Sequence, residues 1–167
     1  MSSVRRVVIG LLASVGLLLT GASAVPVANA QERTLTTFVA HLSAENEAPG
    51  CPAGEESGAS GVAIIQINEV TGEISYRVVA TNLPGTIADS VGAHIHVGAA
   101  GDPGGVVQGL ELTGLESGLV AAGTVTNAQL LAAAILADPA NYYVNVHTTA
   151  PDLGDACPAG AVRGQLG

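Results

Sequence analysis

Ala93-His94-Ile95-His96-Val97-Gly98 decides how this chain is read. Successive side chains on a strand point to opposite faces. Ala93, Ile95 and Val97 therefore share a face suited to a core, and His94 and His96 share the other. The same alternation returns in Tyr142-Tyr143-Val144-Asn145-Val146-His147. There Val144 and Val146 lie on one face, and Tyr143, Asn145 and His147 on the other. If the two strands are neighbours, three imidazoles converge. The fourth histidine, His41, is flanked by Ala40 and Leu42 and reads as a surface residue.

Working outward, period-two patterns recur along the chain. Leu35 to Ser43 alternates, with Phe38, Ala40 and Leu42 on one face. Glu45 to Ser60 carries Pro49, Pro52 and several glycines and serines, and reads as a loop. Gly61 to Asn68 and Glu73 to Asn82 are strands joined by a hairpin turn at Glu69-Val70-Thr71-Gly72. Asp102-Pro103-Gly104-Gly105 is a turn, in which Asp102 takes the first position. Val106 to Leu112, Leu119 to Val125 and Ala161 to Leu166 complete the strands. A single helix is expected after Thr126-Asn127-Ala128-Gln129, which has the form of a capping box. Leu130, Leu131, Ala134 and Ile135 would form its apolar stripe, and Asp138-Pro139 would end it. Many short strands with glycine-rich turns predict an all-β, antiparallel Greek-key sandwich or barrel with one short helix.

Residues 1–30 read as a secretory signal peptide rather than part of the fold. Arg5-Arg6 is basic, Val7 to Leu19 is apolar apart from Gly10, Ser14 and Gly16, and Ala28-Asn29-Ala30 is a small-x-small cleavage signal before Gln31. The apolar run is short for a membrane-spanning helix, and no lipobox cysteine follows it. Residues 31–167 then form one secreted, extracellular domain. The whole chain carries a formal charge of −9, and the part after Ala30 has no lysine, only Arg33, Arg77 and Arg163. Such a surface excludes phosphate-binding patches, and with them nucleic acid and anionic membranes. It does attract cations. The two cysteines, Cys51 and Cys157, each open a Cys-Pro-Ala-Gly segment. In an exported chain they are expected to pair. Closing a ring that long stabilises a fold by about 4–5 kcal/mol on chain-entropy grounds.

Several separated motifs, in order, resemble the CHRD domain, named from the repeats of chordin and also found alone in secreted bacterial proteins. They are Leu42 with Asn46-Glu47-Ala48-Pro49, Ala93 to Gly98, Tyr143-Val144-Asn145-Val146-His147-Thr148, and Val162-Arg163-Gly164-Gln165-Leu166. The resemblance runs from about Leu35 to the C-terminus. It implies an extracellular antiparallel β domain and no particular reaction. A more local likeness is to copper/zinc superoxide dismutase. His94-Ile95-His96 with Gly98 and Gly101-Asp102 is similar to the segment holding two of its copper ligands. Val146-His147 with Asp152-Leu153-Gly154 is similar to the segment holding its last. Cys157 and Arg163 fall roughly where that enzyme has a disulfide cysteine and its active-site arginine, although Cys51 precedes the His-x-His strand. No histidine lies between His96 and His147, so the bridging and zinc histidines have no counterparts. A two-metal dismutase is excluded; a mononuclear site is not.

Two readings of the trio therefore stand. In one, the chain is a mononuclear copper protein, a carrier or a weak redox enzyme, with His94, His96 and His147 as ligands of one copper (or zinc) ion, three neutral imidazoles with an open fourth position. Alternatively they are structural residues at a sheet edge, in a binding or structural module that meets an extracellular protein or glycan. Arg163 is expected to pair with a carboxylate such as Glu47 and so pin the last strand to the first loop. Tyr143 and Asn145 would orient the imidazoles from behind, or be ordinary half-exposed strand residues. No nucleophile motif or phosphate loop is present, and no reaction is read from the sequence.

Overall fold

Alternating apolar residues become strands wherever one of their faces finds a core. In the computed structural model the described residues are 34–88, 92–113, 118–149, 157 and 160–167. The segment 1–30 read as a signal peptide, and the loop carboxylates Asp152 and Asp155, lie outside them. The strands are β1 (Leu35–Ser43), β2 (Ser60–Asn68), β3 (Ile74–Thr81), β4 (Thr86–Ile87), β5 (Ala93–Val97), β6 (Val106–Gly109), β7 (Leu119–Val125), β8 (Tyr142–Val146), β9 (Thr148–Thr149) and β10 (Val162–Gln165). Eight of them form one antiparallel sheet in the order β6-β5-β8-β10-β1-β2-β3-β7, and β4 pairs only with β9. The sheet curls until its two ends meet. Beyond β6, Leu112 bridges to Ala121 of β7, and the Thr113 amide donates to the Val120 carbonyl at 3.1 Å. The all-β expectation holds, with the last strand returning to lie beside the first.

The concave face is a core of small aliphatic side chains. Ile65, Ile67, Ile74, Val78, Ile95, Val144, Val146 and Val162 are fully buried there. In β3, Ile74, Tyr76, Val78 and Ala80 all point inward while Arg77 and Thr81 are exposed, as strict alternation predicts. The β2–β3 turn closes because the Asn68 side chain accepts from the amides of Val70 and Thr71 at 3.0 and 3.1 Å. Gly72 takes the positive φ of 68° that the turn requires.

The helix α2 (Gln129–Ala137) ends before Asp138-Pro139 as expected, but it starts differently. The capping box does not form. Asn127 is left-handed (φ 60°), the cap position falls to Ala128, and no side chain bonds the helix start. Because the chain is still turning at Asn127, Thr126 sits too early to cap. The buried stripe shifts accordingly. Ala132 and Ile135 enter the core with Ala128, Leu131 and Leu136 beside them, while Leu130 is 91% exposed.

The stretch read as loop, residues 45–60, contains a short helix α1 (Pro52–Ser57). Pro52 lacks the amide that a first helical residue would leave unpaired. Cys51 caps it, its Sγ accepting from the Gly54 amide, and Gly58 ends it at φ 67°. Cys51 is bonded to Cys157, 106 residues away, so the disulfide ties this loop to the approach to β10.

Candidate metal centre

The pairing register brings the chemistry together. Residues directly opposite in an antiparallel pair project to the same face. His94 of β5 faces Asn145 of β8, which faces Arg163 of β10. One step along, His96 faces Tyr143, which faces Gln165. These two rows lie on the convex face, opposite the apolar core. His147 follows β8 directly. Its amide donates to the Gly92 carbonyl at 2.7 Å, and its carbonyl accepts from the Ala88 amide.

This convex face is not a solvent face. His94 is 9% exposed, His96 6%, Tyr143 3%, Arg163 2% and Asn145 1%. Residues 98–105 fold back over it and are bonded from below. Arg163 donates to the carbonyls of Asp102 (2.9 Å) and Ala99 (2.6 Å), and Gln165 donates to Gly98 (2.9 Å). The Gly104 amide donates to the Tyr143 hydroxyl (3.1 Å). Only glycine fits at 104, because a Cβ there would overlap the Val97 carbonyl oxygen. In return the Gly104 carbonyl accepts from His96 Nδ1 at 3.0 Å. That bond places the proton on Nδ1 and leaves the Nε2 lone pair free.

The three imidazoles do converge. Ring centroids are 5.6 Å apart for His94 and His96, 5.3 Å for His94 and His147, and 6.0 Å for His96 and His147. One ring nitrogen from each lies within 4.8 Å of the others. His94 Nδ1, His96 Nε2 and His147 Nε2 are all buried, with no hydrogen-bond partner among the described residues. Tetrahedral donors around one ion at about 2.0 Å stand about 3.3 Å apart, so small ring rotations would close the set. Burial drives all three pKa values down. His147 falls to about 4, through desolvation first and then the charges of His94 and His96. His94 is lowered by desolvation and by His96. His96 is lowered by desolvation and by Arg163, against the Gly104 bond. At neutral pH the trio is uncharged, the form that binds a metal. His41 remains exposed on β1 and takes no part.

Arg163 is built in differently from the expectation. Its hydrogen bonds go to the carbonyls of Ala99 and Asp102 and to Gln165, and its guanidinium carbon lies 3.5 Å above the Tyr143 ring. Glu47 is not among its hydrogen-bond partners. A guanidinium so committed does not steer an anion, and it pins the 98–105 segment rather than the first loop. The first loop is pinned instead by Asn46, which donates to the Arg163 carbonyl at 3.1 Å. Glu47 accepts from Asn145 through Oε2 at 3.3 Å, while its Oε1 is buried with no partner among the described residues. Desolvation raises its pKa to about 8, although Arg163 and the Asn145 bond both pull it down. Gly104 and Gln165 were not singled out in the sequence. The only signal for them was their place in a turn and a strand that carry Asp102 and Arg163.

A family model described as the CHRD domain matches residues 38–166, a span that includes all three convergent histidines, Glu47 and Arg163. No curated protein and no solved structure matches the chain. Among the described residues, no helix is long and apolar enough to cross a membrane.

Proposed function

Because the chain belongs to the CHRD domain family, we propose that it is an extracellular-type binding module whose ligand is a single transition-metal ion held by His94, His96 and His147. The observation that carries this reading is the convergence of three imidazoles, one ring nitrogen from each within 4.8 Å of the others, in residues that each also hold a buried ring nitrogen with no hydrogen-bond partner among the described residues. Purely structural histidines would have those nitrogens bonded, since a buried polar atom left unmade costs about 1–3 kcal/mol. Three neutral imidazoles suit zinc and copper alike. Three protein donors leave a fourth position of a tetrahedral ion for water or a ligand. The role is binding, with no reaction assigned. Direct contact of these histidines with an extracellular protein or glycan has less support, because His94 and His96 are nearly out of a macromolecule's reach.

The test is calorimetric titration of the disulfide-bonded protein with Zn(II) and with Cu(II). One ion per chain is expected, with affinity at least about 100-fold lower in both His94→Ala and His147→Ala. Binding that neither substitution weakens, or no binding at all, would return the histidines to a structural role.

A further inference from the structure

The imidazoles are backed by a stack that reaches across three strands. His96 lies on Tyr143 with ring centroids 4.7 Å apart and planes 15° from parallel. Tyr143 in turn lies under the Arg163 guanidinium at 3.5 Å. Tyr143 and Arg163 also reach the 98–105 segment. Tyr143 does so through the Gly104 amide, and Arg163 through the carbonyls of Ala99 and Asp102. That segment supplies the Gly104 carbonyl to His96 Nδ1. His96 is thus gripped twice by the same pair of residues, once on its ring face and once, through Gly104, at its edge. Among the described residues His94 meets its two partners only edge-on, and His147 stacks on His96 more loosely, at 6.0 Å and 28°, with no such grip at its edge.

We propose that Arg163 and Tyr143 are positioning residues of the metal centre. They hold His96 in one orientation and one tautomer before an ion arrives, so that His96 is the fixed ligand to which the other two close. This rests on the metal reading above, yet it concerns a property of the metal-free protein and can be tested separately. A cation buried beside a cation site is otherwise unfavourable, since its charge opposes the incoming ion. Its place here is explained by the carbonyls it gathers: Ala99 and Asp102 frame the turn that ends in Gly104.

The experiment is nitrogen-15 NMR of the imidazoles in metal-free protein at pH 7.5, paired with Zn(II) titration. In the wild type, His96 is expected as a single tautomer protonated at Nδ1. Tyr143→Phe keeps the ring and removes only the hydroxyl that holds Gly104. It is expected to leave the backbone amide spectrum folded, to mix the His96 tautomers, and to lower Zn(II) affinity about 10-fold, the low end for outer partners of a ligand. Arg163→Lys keeps the charge but loses the planar fork, and should lower affinity further, towards about 100-fold. If Arg163→Lys does not fold, Tyr143→Phe decides. An unchanged His96 tautomer and unchanged affinity in Tyr143→Phe would overturn the positioning role and leave the metal reading intact. A wild type that holds His96 as one tautomer, loses that order in Tyr143→Phe, and binds no zinc would support the positioning role while sinking the metal reading.

Discussion

Ala40-His41-Leu42 on β1 and Ala93-His94-Ile95 on β5 have the same pattern and project their histidines to the same convex face of one sheet. His41 is exposed; His94 is 9% exposed. The difference lies in what covers the sheet. Over β1, β2 and β3 the convex face meets water, and Thr37, Val39, His41, Ile64, Gln66 and Arg77 are exposed there. Over β5, β8 and β10 the chain folds back, and both faces are buried. A half-solvated sheet asks only that its outer residues be soluble. A covered one requires polar groups to be bonded, and Arg163, Gln165 and Tyr143 meet that demand against backbone groups of residues 98–104. Three imidazole nitrogens are left over among the described residues, which is what makes the covered half a candidate site and the open half a wall.

The largest test of this contrast sets its two strand arginines against each other. Arg163→Met strips donors from the buried carbonyls of Ala99 and Asp102 and is expected to cost about 2–5 kcal/mol. Arg77→Met on the open half should stay within about 0.5 kcal/mol. Urea unfolding at pH 7 reads both. Equal effects would mean that the cover over β5, β8 and β10 contributes little to stability.

The covered half also sets the pH dependence of the metal-free protein, in two opposing senses. His147 falls from an ordinary 6.5 to about 4 when folded, so between those values the unfolded chain binds more protons. Its contribution is present above pH 6.5 and is lost as pH falls towards 4. His94 and His96 shift in the same direction. Glu47 is the reverse: its pKa rises from 4.5 to about 8, so the folded chain keeps a proton that the unfolded chain gives up. Its contribution is present below 4.5 and is lost as pH rises towards 8. Stability should therefore decline on both sides of a maximum near pH 6–7, the histidines governing the acid side and Glu47 the alkaline side. Glu47→Gln should remove the alkaline decline, whose limiting slope is on the order of 1 kcal/mol per pH unit, and leave the acid one. Thermal unfolding across pH 4 to 9, with chelator present, measures this. An alkaline decline that persists in Glu47→Gln would assign it elsewhere.

The strands of both halves were legible in the sequence, but the cover over β5, β8 and β10 was not, for a physical reason. Water on one face imposes period two, and β1, β2 and β3 show it. The cysteine pairing was legible because only two cysteines exist to pair. The histidines could be named from alternation on β5 and β8, but their convergence depends on the register His94↔Asn145, which no local pattern states. Arg163 looked like half of an ion pair because opposite charges are the obvious partners. Backbone carbonyls of a distant turn are just as good acceptors and are invisible in a string of side chains. The same blindness to backbone concealed α1, whose Pro52 and Gly58 read as breakers when they are its ends. It also misplaced the start of α2 by ignoring the conformation of Asn127. The two-residue β4–β9 pair is too short to leave any pattern.

The smallest expected effect returns to the two matched histidines. His41→Gln exchanges one soluble outer side chain for another on β1 and should change stability by no more than about 0.5 kcal/mol. His94→Gln at the equivalent place on β5 puts a longer, flexible amide beside His96 and His147 under the 98–105 cover. Its extra donors would have to be bonded there, at about 1–3 kcal/mol for each left unmade. Guanidinium unfolding of the two variants in chelator isolates this from any loss of metal. A His41→Gln variant as damaged as His94→Gln would show that the convex face of β1 is covered too, and that the division of the sheet into an open and a covered half is wrong.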